Sequence, residues 1–283
     1  MRTVAHISDL HFGRIDPRVV EALAEDLAEQ KPSLAIISGD LTQRARRNQF
    51  REARAFLDRL PMPYMVIPGN HDIPNFNILG RFTDPYRNYK RYISEDLCPI
   101  HQDDELVAVG INTVRSWILD FAEGRINRAQ MKRMQEVLHA AGPDRFKIFF
   151  THHPFLPPPD APETRLVGRA REALRRLEEA GVDLMLAGHL HRAYSGDIMS
   201  HHTKVARSIL VAQASTATST RLRNEPNAYN FITIEGTGED ARVTFLVRSW
   251  EGARFTPGLK SQYVKRGHRW ELQAQDPGLS PAS

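Results

Sequence analysis

The chain has 283 residues, 41% of them hydrophobic and 25% charged, with a formal net charge of +4, which excludes a disordered or fibrous protein and fits an ordinary globular one. A single cysteine, Cys98, excludes an intramolecular disulfide and any cysteine-based zinc site. No apolar run approaches the ~20 residues of a spanning helix, and residues 1–8 enter a strand pattern at once with no room for a signal peptide, so a cytoplasmic protein is expected, with peripheral membrane contact left open.

Runs rich in Ile and Val at residues 4–8, 34–38 and 64–68 read as short buried strands. Between them, residues 17–30 carry Val20, Leu23 and Leu27, and residues 46–60 carry Phe50, Ala53 and Leu57, all at helical spacing. This β-α-β-α-β order predicts a parallel sheet with right-handed crossovers. Residues 73–104 break the scheme. They are long, irregular and rich in aromatic and basic side chains (Phe76, Arg81, Phe82, Tyr86, Arg87, Tyr89, Lys90, Arg91 and Tyr92); such a segment is usually functional or has structure of its own. The pattern resumes with a strand at 106–112, a helix at 128–140, a strand at 146–151, a proline-stiffened loop at 154–162, a helix at 163–180 and a strand at 183–187. Strands without intervening helices follow at 194–199, 208–214, 227–234 and 241–247. Residues 273–283, poor in apolar side chains, are expected to be disordered. The expectation is an α/β fold of two packed sheets with helices outside. Arginines cluster on two of the predicted helices (Arg44, Arg46, Arg47, Arg51 and Arg54; Arg169, Arg171, Arg175 and Arg176), but acids intersperse with them. The basic balance therefore reads as solvated helix faces rather than a nucleic-acid stripe.

Five short blocks carry the chemistry: Asp9-Leu10-His11, Gly39-Asp40, Gly69-Asn70-His71-Asp72, Thr151-His152-His153 and Gly188-His189-Leu190-His191. Each closes an apolar run that reads as a strand, and strand exits are where open α/β sheets place ligands. Asp, Asn and His without Cys suit borderline-hard divalent or trivalent cations: manganese or iron first, zinc or cobalt next. Asp40 is the natural bridge, because one carboxylate binds two cations and offsets their repulsion. Asn70 supplies a neutral amide oxygen. Paired metals polarise phosphoryl oxygens and turn a bridging water into hydroxide at neutral pH. His71 is placed to protonate the leaving alkoxide, and Asp72 either orients His71 or is structural. His153, beside a ligand, reads as a residue that orients it or meets substrate. The Ser/Thr run at 215–220 reads as a polar loop rather than a source of nucleophile.

In this order the blocks resemble the calcineurin-like metallophosphoesterase superfamily, whose signature is D-x-H, G-D, G-N-H-[DE], H and G-H-x-H; the likeness covers residues 1 to about 215. It implies a four-layer αββα sandwich with two metal ions at the strand ends. One would be held by Asp9, His11, Asp40 and His191, the other by Asp40, Asn70, His152 and His189, with His71 as the catalytic histidine that is not a ligand. On this reading residues 1–250 form the catalytic domain with a cap-like insertion at about 73–104, and residues 251–283 form a C-terminal extension. The compact spacing and the opening Ile7-Ser8-Asp9-Leu10-His11 are similar to bacterial class III cyclic nucleotide phosphodiesterases and glycerophosphodiesterases. The implied activity is cleavage of a cyclic nucleotide or other small phosphodiester by metal-bridging hydroxide. The long aromatic segment suits a larger organic group, with Arg81, Arg87 or Lys90 meeting a second anionic centre. The alternatives are a UDP-diacylglucosamine-type pyrophosphate hydrolase, whose widespread form has Arg where His71 stands; a repair-type nuclease, for whose extra domains there is no room; and a metal-binding scaffold without catalysis. The expected partner is a small anionic phosphoester.

Overall fold

The computed structural model describes residues 1–74, 77–116, 123–157, 163–190, 194–197, 208–222 and 225–276. The parallel core forms as the sequence predicts. Strands β1 (Arg2–Ile7), β2 (Leu34–Ile37) and β3 (Tyr64–Val66) pair in parallel, with helices α1 (Pro17–Gln30) and α2 (Arg47–Leu57) between them. α1 starts where Asp16 caps it by accepting from the Arg18 N–H with Pro17 in the first turn, and stops at Lys31 in a left-handed conformation. The second sheet is centred on β5 (Leu106–Ile111), β6 (Phe146–Thr151) and β7 (Leu184–Ala187), also parallel, with α5 (Arg128–Ala140) and α6 (Ala170–Glu179) as crossovers.

Further strands then extend both sheets, antiparallel to their neighbours except Leu210–Gln213, which pairs in parallel with β7. Adding β8 (Tyr194–Asp197), β9 (Leu210–Gln213), β10 (Ala228–Glu235), β11 (Arg242–Trp250), β12 (Phe255–Arg266) and β13 (Arg269–Asp276) gives one sheet of order β13-β12-β11-β10-β1-β2-β3. The other, which includes β4 (Ile100–Gln102), has order β4-β5-β6-β7-β9-β8. Residues 273–276, expected to be disordered, instead complete β13, where backbone pairing with β12 compensates for their polar side chains. α6 begins seven residues later than its apolar spacing suggests. Arg169 there takes a left-handed backbone, φ 69°, which cannot continue a right-handed helix.

Three apolar layers hold this together. Val4, Ile36, Met65, Ala108, Ile148, Leu186 and Phe245 meet between the two sheets. Ala5 and Ile37 face the other way, onto Leu23 and Leu27 of α1 and Phe50 and Ala53 of α2. Val109, Phe149 and Met185 pack on Met131, Met134 and Leu177 of α5 and α6. Helix, sheet, sheet, helix is therefore the order of layers. The central strands are buried on both faces, which is why they read as continuous apolar runs rather than alternating ones.

The 73–104 segment folds as two short helices, α3 (Ile78–Thr83) and α4 (Arg87–Tyr92), followed by β4. Its aromatic residues serve the core more than a ligand. Tyr89 is fully buried, its hydroxyl donating to Val66 O at 3.1 Å, and Tyr92 stacks on Phe50 of α2. The Tyr86 hydroxyl donates to Val114 O at 3.0 Å. Phe82 is exposed, and Phe76 lies outside the described residues. Among the described residues, no helix is long and apolar enough to cross a membrane.

A buried ion pair ties α1 to β11. Arg248 donates to both oxygens of Asp26, at 2.7 and 2.6 Å, and the Tyr229 hydroxyl donates to the same carboxylate. Removing the guanidinium would leave that carboxylate buried without its cation, a loss of about 3–5 kcal/mol. Arg248→Ala is therefore expected to lower stability by about that amount in urea unfolding. A change below about 1 kcal/mol would mean that water reaches Asp26 and the pair contributes little.

Candidate metal centre

All the strand exits named above converge at one end of the sandwich. The loop after β1 continues the parallel ladder beside the loop after β2, with Asp9 N–H donating to Gly39 O at 3.1 Å and His11 N–H to Asp40 O at 2.9 Å. Four candidate ligands sit in the left-handed region: Asp9 (φ 55°), His11 (53°), Asp40 (55°) and His189 (73°). Such conformations cost about 1–3 kcal/mol each and persist where the surroundings impose them, most often at functional sites. Gly39 and Gly69 permit the crowding. Gly39 has φ +101°, and a Cβ there would sit 2.8 Å from His152 Nδ1; a Cβ on Gly69 would sit 2.2 Å from Asp40 Oδ1. Both glycines are required by close approach, not by a turn alone.

Within this crowded end, Asp40 is central. Its Oδ1 accepts from the His71 N–H at 2.8 Å, while Oδ2 lies 3.7 Å from His11 Nε2 and 3.5 Å from His152 Nε2. Among the described residues, two clusters of His and Asp have donor atoms within 4.8 Å of one another, namely Asp9 with Asp40 and His152, and His11 with Asp40 and His71. Asp40 belongs to both. Asp9 and Asp40 are each at most 1% exposed, and burying such charges demands a compensating cation. Burial pulls His11 and His152 toward the neutral form, but the Asp9 and Asp40 carboxylates outweigh it and raise both, His152 to about 9. Burial likewise opposes ionisation of Asp40, yet His152, His71 and His11 hold its carboxyl well below the usual range. A field that favours protons on imidazoles this strongly also favours metal cations in their place.

The donor geometry fits such ions. His152 Nδ1–H donates to Ser38 O at 2.8 Å, which fixes the tautomer and leaves the Nε2 lone pair facing inward. That Nε2 lies 3.0 Å from Asn70 Oδ1 and 3.3 Å from His189 Nδ1, and Asn70 Oδ1 is 3.2 Å from His189 Nδ1. Several electron-pair donors converging in this way suit a shared cation better than one another. On the other side, Asp9 Oδ2 accepts from Ser8 Oγ at 2.6 Å and from the His189 N–H at 3.0 Å, while Oδ1 turns to within 3.5 Å of His11 Nε2. The structure thus brings Asp9, His11, Asp40, Asn70, His152 and His189 together. His191 lies outside the described residues.

His71 stands beside the cluster, its ring edge-on to His11 at 4.9 Å between centroids. Its Nδ1–H donates to Gln43 O at 2.9 Å, and Nε2 accepts from Arg221 Nη1 at 3.4 Å. Because a carbonyl only accepts and a guanidinium only donates, both nitrogens have assigned roles. Asp72 does not touch the ring. Its carboxylate accepts from the Leu41, Thr42 and Gly69 N–H groups and from Thr42 Oγ1, all between 2.8 and 3.0 Å. It pins the Asp40 loop to the Asn70 loop and acts as a positioning residue.

The candidates for substrate contact separate. The buried Arg81 guanidinium donates to the carbonyls of Ser116, Arg115 and Pro74, which makes it a strut for those loops. Arg87 is exposed, and the exposed Lys90 pairs with Glu95 at 3.9 Å. His153 does lie at the centre. Its ring is 4.9 Å from that of His189, Nδ1 is 2.8 Å from Thr113 Oγ1, and the buried Nε2 has no hydrogen-bond partner among the described residues. Burial and the neighbouring His189 and His152 keep it neutral. Arg221 was not anticipated from sequence, since nothing in its local pattern marks it. It reaches His71 because the preceding Ser/Thr run is laced along the β1 exit, with Thr216 Oγ1 donating to Asp9 O, Thr218 Oγ1 to Leu10 O and Thr220 N to Arg14 O.

Residues 2–193, which contain all five blocks, match the family described as calcineurin-like phosphoesterase. The chain belongs to this family. Among curated proteins it is similar to the glycerophosphodiester phosphodiesterase GpdQ of Enterobacter lignolyticus, 28% identical over 168 residues that are 54% of this chain and 57% of that protein. It is also similar to a probable GpdQ of Arcobacter nitrofigilis, 27% identical over 44% of this chain and 42% of that one. The chain thus spans roughly half the length of these relatives. Among solved structures, the purple acid phosphatase PPD1 of yellow lupin matches 94% of this chain and 54% of its own with TM-score 0.70 at 12% identity. GAP50, the anchor in the inner membrane complex of Plasmodium, matches 98% and 88% with TM-score 0.52, also at 12% identity. At these identities the likeness concerns the fold alone.

Proposed function

We propose that this calcineurin-like phosphoesterase is a metal-dependent phosphodiester hydrolase acting on a small diester of the glycerophosphodiester type. The observation that carries the reading is the Asp40 carboxylate, set between His11 and His152 and common to both donor clusters. Asp9, His11 and Asp40, with His191 of the fifth motif, would hold one ion; Asp40, Asn70, His152 and His189 would hold the other. The all-oxygen-and-nitrogen donor set suits manganese or iron. When bound, two such ions polarise the phosphoryl oxygens and activate water for in-line attack.

The chain's own residues do the rest. Arg221 Nη1, 3.4 Å from His71 Nε2, offers a fixed positive charge for a phosphoryl oxygen. His71, held through Nδ1 by Gln43 O, gives the leaving alkoxide a proton from Nε2 once that nitrogen is protonated and has exchanged its contact with Arg221 for one with the leaving oxygen. Asp72 keeps the two loops in register. The diester preference draws on the two GpdQ relatives.

The test is a panel hydrolysed by manganese-reconstituted protein: bis(p-nitrophenyl) phosphate, p-nitrophenyl phosphate, glycerophosphodiesters, cyclic AMP and UDP-diacylglucosamine. Turnover of bis(p-nitrophenyl) phosphate and of glycerophosphodiesters well above the monoester is the expected result. Preference for the monoester, or for UDP-diacylglucosamine, would replace the reading.

A further inference from the structure

Beside His153, and lined in part by Gly124 that packs on its ring, lies a cleft that the metal chemistry does not use. Two adjoining cavities of about 550 and 470 Å³ share three lining residues, Arg115, Arg125 and Arg169. All three are half-buried. Among the described residues their side chains have neither hydrogen bond nor ion pair, and the acid on the cleft rim, Glu123, is bridged by Arg165 at 2.9 Å. Three guanidiniums around one cavity repel one another, and a bound anion would relieve that repulsion. Their planar forks match phosphate oxygens two at a time. Helix α5 adds to the field: its first turn opens on the cleft through Asn127 and Gln130 and holds no acid.

The cleft is coupled physically to the metal centre. Arg125 N–H donates to Thr113 O at 2.7 Å, and the Thr113 hydroxyl lies 2.8 Å from His153 Nδ1. Gly124 packs so tightly on His153 that a Cβ would sit 2.4 Å from its ring. His153 in turn packs against His189, the two rings tilted by 44°. One imidazole therefore separates the cleft from the candidate ligands. Arg169 was expected on the solvated face of a helix; its left-handed backbone delays the start of that helix to Ala170, and the residue lines the cleft instead.

We propose that Arg115, Arg125 and Arg169 form an anion subsite that holds a second phosphate group of the substrate, distinct from the phosphodiester cleaved at the metal centre. The anion-binding part stands by itself; its assignment to substrate rests on the hydrolase reading. The sequence suggested such a subsite on Arg81, Arg87 or Lys90, whereas the structure supplies it from other loops.

Two measurements test this on the full chain, comparing wild type with Arg115→Gln/Arg125→Gln and with Arg169→Gln alone. The first is calorimetric titration with inorganic pyrophosphate after dialysis against EDTA, so that no metal can bind the probe. Affinity is expected to fall by about tenfold or more in each variant, the worth of a lost charged hydrogen bond. The second is the ratio of KM values for thymidine 5′-(p-nitrophenyl phosphate) with and without a 3′-phosphate, on manganese-loaded protein. Wild type should favour the 3′-phosphorylated ester, and the variants should lose that preference. Equal pyrophosphate affinity in wild type and variants, or no binding by wild type, overturns the subsite and leaves the hydrolase reading untouched. Loss of pyrophosphate binding with neither ester cleaved by wild type upholds the anion site and removes its assignment to substrate. Pyrophosphate affinity lost but KM preference unchanged also overturns that assignment.

Discussion

Asp40→Asn should remove at least one metal ion per chain by elemental analysis and reduce turnover of bis(p-nitrophenyl) phosphate by 10²- to 10³-fold or more, on the order seen when one main electrostatic element of an active site is lost. Asn is the informative replacement. It tolerates the left-handed backbone that Asp40 adopts at φ 55°, and its amide oxygen can still accept from the His71 N–H, as Asp40 Oδ1 does at 2.8 Å. What it removes is the charge on Oδ2 between His11 Nε2 and His152 Nε2. Asp40→Ala removes the acceptor as well and strains the backbone, so any further loss in Ala over Asn measures the positioning of His71 and the turn rather than bridging. Two metals retained in Asp40→Asn would sink the bridging role.

The sign of the accompanying proton change is fixed by the electrostatics. In the metal-free cluster the Asp9 and Asp40 carboxylates raise both His11 and His152, His152 to about 9, so His152 carries a proton at neutral pH and His11 is shifted the same way. Metal can bind them only as neutral rings. Loading should therefore release protons, and metal affinity should rise with pH up to about 9.

How much of this was legible in the sequence depends on whether a residue's role is local. The five motif blocks and the parallel strands before them stand out because buried strands are runs of Ile, Val and Leu, and the ligand loops follow at their ends. α1 and α5 were readable to the residue from the apolar pattern, and the structure shows why their starts are sharp: Asp16 with Pro17 and Asn127 with Gln130 cap them. What failed was non-local. Strands β12 and β13 are polar outer strands held largely by backbone pairing, a bond with no side-chain signature. Arg221 reaches His71 across 150 residues through a threonine-pinned loop, and Arg81 looks like a ligand residue until its carbonyl partners are seen. The aromatic residues of the 73–104 segment are ambiguous for the same reason. Periodicity does not tell an aromatic that packs on α2, as Tyr92 does, from one that meets a substrate.

His71→Ala tests whether that ring is acid or ligand, because its position allows both. Its donor atoms fall within the cluster of His11 and Asp40, yet Nδ1 is tied to Gln43 O and Nε2 faces Arg221. If His71 is the acid, the variant keeps its full metal content. It should then lose 10²- to 10⁴-fold in turnover of glycerophosphodiesters, whose alkoxide leaves badly without a proton. Bis(p-nitrophenyl) phosphate, whose phenolate leaves unaided, should be affected far less. If His71 is a ligand, metal content falls and both substrates suffer alike. Arg221 cannot mask the distinction, since a guanidinium stays charged throughout the accessible pH range and has no proton to give at neutral pH. It can stabilise a phosphoryl oxygen but cannot protonate an alkoxide. Partial recovery by added imidazole, seen with the alkyl diester and absent with the aryl one, would assign the missing step to proton transfer at Nε2.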